Sequence, residues 1–186
     1  MGLIDTLTSE SGTFGCLGGI AHTFTPTAGN IVGGGFRAPA ARGNADIHYE
    51  KAVRTFVVPH GVRGFCDRFM QDWAVTDRFV LPETVESIGT MDAAGGVFAG
   101  CYLPEVVLPA SLKSLGLYAF SGSYIRRLVV NAANCSPYGR QFKDSAIGQL
   151  CLPHRELELY RNGADEESYG FYRNFFVHCR CTIIEY

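Results

Sequence analysis

Leu81-Pro-Glu-Thr-Val-Glu-Ser-Ile-Gly89 and Leu108-Pro-Ala-Ser-Leu-Lys-Ser-Leu-Gly116 are two settings of one phrase, and their recurrence decides the fold. A short β-type run leads into each, Phe79-Val80-Leu81-Pro82 and Val106-Val107-Leu108-Pro109. The same run returns as Phe56-Val57-Val58-Pro59, Leu128-Val129-Val130-Asn131 and Leu150-Cys151-Leu152-Pro153. The closing residues fall at 59, 82, 109, 131 and 153, in steps of 23, 27, 22 and 22. One strand in every ~20–30 residues is the mark of a solenoid, whose units cannot bury their apolar faces alone and stack to do so.

Agreement extends past the strands. Six residues after the closing residue stand Phe65, Ile88 and Leu115, with Pro137 breaking the series in the fourth copy. Met70, Phe98, Phe120 and Phe142 follow, and each of the last three lies eleven residues before the next closing residue. Three positions on come Trp73, Cys101, Ser123 and Ser145, and two beyond those Val75, Leu103, Ile125 and Ile147. The spacing predicts that Phe98, Phe120 and Phe142 form one buried column.

At these residues the chain resembles the BspA-like leucine-rich repeats of bacteria, whose unit reads approximately strand, Pro, two residues, apolar, two residues, Ile-Gly, two residues, Ala-Phe, two residues, Cys. The likeness is close over 79–125, fair over 54–78 and 126–153, and weak outside. The Phe-x-x-Cys cysteine is kept at Cys101 alone, and extra residues stand around Met91–Val97. The resemblance implies an α/β to mainly β leucine-rich-repeat solenoid of about five repeats of 22–27 residues, and protein–protein or host-surface recognition. The expected layout is one domain: a glycine-rich N-terminal cap over 1–53, the solenoid over 54–161, and a degenerate last repeat with C-terminal cap over 162–186.

The 186 residues suit one domain, and 47% hydrophobic content suffices for a core. A formal charge of −2 with no basic run longer than a pair makes nucleic acid an unfit partner. No apolar stretch reaches the ~18 residues of a membrane span. Asp5 and Glu10 stand where a secretory leader carries positive charge, so the chain reads as cytoplasmic, although one cleaved after a leader would read the same. Seven cysteines, scattered and odd in number, read as free thiols filling the core.

Ile31-Val-Gly-Gly-Gly-Phe-Arg-Ala38 satisfies Gly-x-Gly-x-x-Ala, yet Pro39 and Gly43-Asn44 deny it the helix that a dinucleotide site requires. After Pro153, His154–Arg161 reads as a short helix. Phe176-Val-His-Cys-Arg-Cys181-Thr-Ile-Ile184 repeats the Phe-x-x-Cys-x-apolar phrase, with Phe171, Tyr172, Phe175 and Phe176 closing the second end.

No cofactor, metal site or catalytic group is assigned. His178, Cys179 and Cys181 offer soft ligands, but a tetrahedral zinc site needs four. A small thiol- or metal-dependent enzyme built on the Cys/His content is the alternative to a non-catalytic interaction or scaffold module. For the module, period-2 alternation sends the residues one and three before each closing residue inward. Val57, Val80, Val107, Val129 and Cys151 then form an outward apolar strip, flanked by Arg78, Glu105 and Arg127. This strip is the expected binding surface, for an unidentified protein or a second copy of the chain, unless the N-terminal segment covers it.

Overall fold

The computed structural model describes residues 14–15, 21–22, 28–41, 46–65, 68–89, 96–132, 135, 140–152 and 180–185, the strands at 14–15, 21–22 and 180–185 by backbone alone. Two antiparallel pairs come first, β1 (Phe14–Gly15) with β2 (Ala21–His22) and β3 (Phe36–Pro39) with β4 (Asp46–Tyr49). Long and short strands then alternate: β5 (Lys51–Val57), β6 (Gly64–Phe65), β7 (Trp73–Val80), β8 (Ser87–Ile88), β9 (Tyr102–Leu108), β10 (Ser114–Leu115) and β11 (Tyr124–Val130). Two more long strands follow, β12 (Ala146–Leu152) and β13 (Arg180–Glu185).

The long strands make one parallel sheet, in the order β13-β12-β11-β9-β7-β5, and the short ones a second, β10-β8-β6. The result is a parallel β-solenoid of about four turns. Its first strand begins at Lys51, three residues before the expected boundary. The fifth repeat is represented by β12 alone, since residues 153–179 lie outside those described, and with them the expected helix at His154–Arg161 and the closing aromatics. The degenerate phrase supplies β13, which pairs with β12 in parallel.

The expected helical component is absent among the described residues, for a reason visible in the turns that precede the long strands. There the turns hydrogen-bond to the next turn: Met70 N to Val97 O, Phe98 N to Ala119 O and Phe120 N to Gln141 O, at 2.7–2.8 Å. Asp72, Gly100, Gly122 and Asp144 take positive φ of 61°, 68°, 69° and 62° at equivalent places, a conformation that ends helical propagation. Backbone groups that a helix would pair within itself are here paired between turns.

The column is present and longer than expected. Phe98, Phe120 and Phe142 are at most 1% exposed, with stacked ring centroids 5.2 and 5.1 Å apart. Phe79 meets Phe98 edge-on at 5.2 Å and stacks on Phe56 at 5.4 Å, so aromatic contact runs the length of the described core. The position three after each phenylalanine has a defined task. Ser123 Oγ donates to Phe98 O and Ser145 Oγ to Phe120 O, both at 2.6 Å, while Cys101 Sγ donates to Met70 O at 2.8 Å. A small donor is needed there because each such carbonyl is buried, and an unpaired one costs about 1–3 kcal/mol.

The edge of β5 is closed by backbone from the N-terminal segment. Val32 N donates to Ala52 O, Arg54 N to Asn30 O, and the Asn30 side-chain amide donates to Thr55 O and accepts from Thr55 N. An unpaired edge strand invites association, and this contact removes one. Gly34 and Gly35, at φ 74° and 76°, then turn the chain into β3. A strand, and no helix N-terminus, follows the Gly-x-Gly phrase.

Candidate functional site

Strict alternation fails halfway along each long strand, and the failure builds the site. Buried Val53, Leu103, Ile125 and Ile147 lie three residues, not two, before the next inward residues Phe56, Val106, Leu128 and Leu150. Two consecutive residues are therefore open to solvent at Arg126-Arg127 and Gly148-Gln149, while in β9 the equivalent pair is buried Pro104 and half-buried Glu105. In β7 the interval is four, from Val75 to Phe79, and the register shift from Val53–Val75 to Thr55–Arg78 marks the additional residue as a bulge. This bulge sits beside Pro104, which has no N–H to give to a ladder and is tolerated inside a sheet at such an irregularity.

Along these residues runs a groove of about 760 Å³, lined by Asp77, Arg78, Pro104, Glu105, Arg126, Arg127, Gly148 and Gln149, with Phe79 and Val80 at one side. Gly148 in its lining carries no side chain, and a Cβ there would stand 2.6 Å from the Arg126 carbonyl oxygen.

The polar walls are unequally committed. Arg127 pairs with Glu105 across adjacent strands at 2.5 Å, and its neighbours Cys151 and Glu105 hold its pKa above the ordinary arginine value. Thr76 Oγ1 donates to Asp77 at 2.7 Å. Arg78 and Arg126 are exposed and make no ion pair among the described residues.

Of the sequence-predicted residues, Arg78, Val80, Glu105 and Arg127 come together in this groove, while Val57 and Val107 continue the outward row beside it. The strip is shorter than expected. Val57 is 42% exposed and Val80 and Val107 are half-buried, but Val129 and Cys151 are buried at 9% and 1%. The N-terminal hairpin covers the other half of the sheet's outer face: Ala38 and Tyr49 pack with Ala52 and Ala74, and the Phe36 ring stands 5.0 Å from Tyr102. It leaves the groove open. Counting back from the closing residues had put Gln149 in the same row as Arg78, Glu105 and Arg127, but it missed Arg126, for which the three-residue step from Ile125 to Leu128 was the signal.

The thiols have another character. Burial pushes both Cys101 and Cys135 up to about 12, so each is a protonated packing group at neutral pH. Among the described residues no three His, Cys, Asp or Glu side chains are grouped to hold a metal; His178 and Cys179, and the side chain of Cys181, lie outside them. No helix among them is long and apolar enough to cross a membrane. Comparison with protein-family models, curated proteins and solved structures finds no match in any of the three.

Proposed function

We propose that the chain is a non-catalytic binding module of leucine-rich-repeat type, resembling the BspA-like family, that recognises a protein partner through the outward groove and the adjoining strip Val57, Val80 and Val107. The observation that carries this reading is the groove itself: open, and lined by charged side chains of three successive turns. The N-terminal segment acts as the cap that keeps the first strand from pairing elsewhere, which leaves the groove as the contact surface.

Affinity capture from cells of the source organism, with the parent chain and with a Val80→Lys, Val107→Lys variant of unchanged circular dichroism, tests the reading. Loss of the captured partner from the variant supports it. Equal capture by both removes the groove and strip from consideration.

A further inference from the structure

Resting on that reading, we propose that the groove takes an extended acidic segment of another protein, with Arg78 and Arg126 receiving two carboxylates and the Val80–Val107 strip an adjoining aliphatic side chain. Three cations line the groove against two anions, Asp77 and Glu105, and one cation is already spent on Glu105. What remains for a ligand is the pair of guanidinium groups on β7 and β11. Their planar forks fit carboxylates in bidentate fashion.

The two arginines stand two strand intervals apart, ~10 Å at ~4.8 Å per strand. Carboxylates two or three residues apart in an extended chain are separated by ~6.6–10 Å at ~3.3 Å per residue, within reach of both flexible side chains. Asp77, Glu105 and Gln149 supply acceptors between and beyond the arginines, and a peptide backbone has N–H groups to give them. A polyphosphate has none, and its dense charge would be repelled by Asp77 and Glu105. An acidic glycan has hydroxyl donors, but the only aromatic ring in the lining is Phe79, which is 5% exposed and offers no platform for a sugar face. The flanking valines match aliphatic side chains, which a peptide carries and the other polyanions lack.

The test uses fluorescein-labelled peptides in which two glutamates, separated by one or two serines, are flanked by leucines. Their glutamine counterparts, polygalacturonate and inorganic polyphosphate serve as comparison probes. Binding to the full chain is read by fluorescence anisotropy at low salt. The expected result is binding of a glutamate peptide that falls about tenfold or more with Arg78→Gln, with Arg126→Gln and with the glutamine peptide, the loss typical of one charge-assisted hydrogen bond. Arg63→Gln, outside the groove, should leave it unchanged. Equal binding of glutamate and glutamine peptides overturns the proposal. Arginine-dependent binding of polygalacturonate or polyphosphate without peptide binding also overturns it, yet leaves the groove as a recognition surface. That surface falls separately, if the Val80→Lys, Val107→Lys variant captures the native partner undiminished.

Discussion

Truncating Phe120 to alanine probes the solenoid where it is most continuous. The ring is 0% exposed and is stacked on both faces, by Phe98 at 5.2 Å and Phe142 at 5.1 Å. A buried Phe→Ala change costs about 3–5 kcal/mol through lost transfer energy and the cavity left behind. Two ring contacts are lost at about 0.5–1.5 kcal/mol each beyond area, which places Phe120 in the upper half of that range. With a total stability of about 5–15 kcal/mol, the variant is at risk of unfolding. Phe120→Leu serves beside it, keeping most of the volume and forfeiting mainly the two ring contacts, about 1–3 kcal/mol. Urea unfolding followed by circular dichroism is the assay. With a slope of about 2 kcal/mol per M, Phe120→Ala should lower the midpoint by about 2 M at unchanged slope. A shift below about 0.5 M would mean the column does not hold the turns together.

The donor position after each phenylalanine makes a sharper contrast. Ser123 Oγ donates to Phe98 O and accepts from Cys101 N at 3.1 Å, so Ser123→Ala strands two buried groups and should cost about 2–4 kcal/mol in urea unfolding. Cys101→Ser, which keeps the donor to Met70 O, should stay within about 1 kcal/mol. Glu86 sits between Lys113 at 2.8 Å and Arg63 at 3.8 Å, and the Lys113 hydrogen bond holds its carboxyl below the ordinary 4.5. Its contribution is then full above that value and lost as pH falls through the lower folded pKa; midpoints measured against pH should show this acid limb flattened in Lys113→Met. Cys101, Cys135 and Cys151 are buried free thiols, so alkylation mapped by mass spectrometry should spare them in native buffer and label them in denaturant without reductant. Recovery of any of them in a disulfide would contradict this.

How much of this was legible beforehand follows from what each residue had to do. Strand positions and the phenylalanine column were readable because packing repeats them: a ring at one register demands a ring one turn later. The absence of helix among the described residues was harder to see, because it rests on the φ of Asp72 and Asp144, residue types that enter the left-handed region only in context. The Arg78–Glu105–Arg127 row was found by counting back from Pro82, Pro109 and Asn131. Its depth was not, because counting in twos passes over the three-residue step between Leu103 and Val106. Burial of Val129 and Cys151, at 9% and 1%, left no trace in the alternation, which sends both outward.

The most direct test of the central claim is a site-resolved titration. Side-chain NMR signals of Arg78 Nε, Arg126 Nε, Gln149 Nε2 and the methyls of Val80 and Val107 are followed while the acidic peptide is added, with Arg63, Lys113 and Ile47 as distant reporters. The account predicts shifts confined to the groove and its strip, saturating together with one dissociation constant. Shifts at Arg63 and Lys113 with silent groove arginines would contradict it.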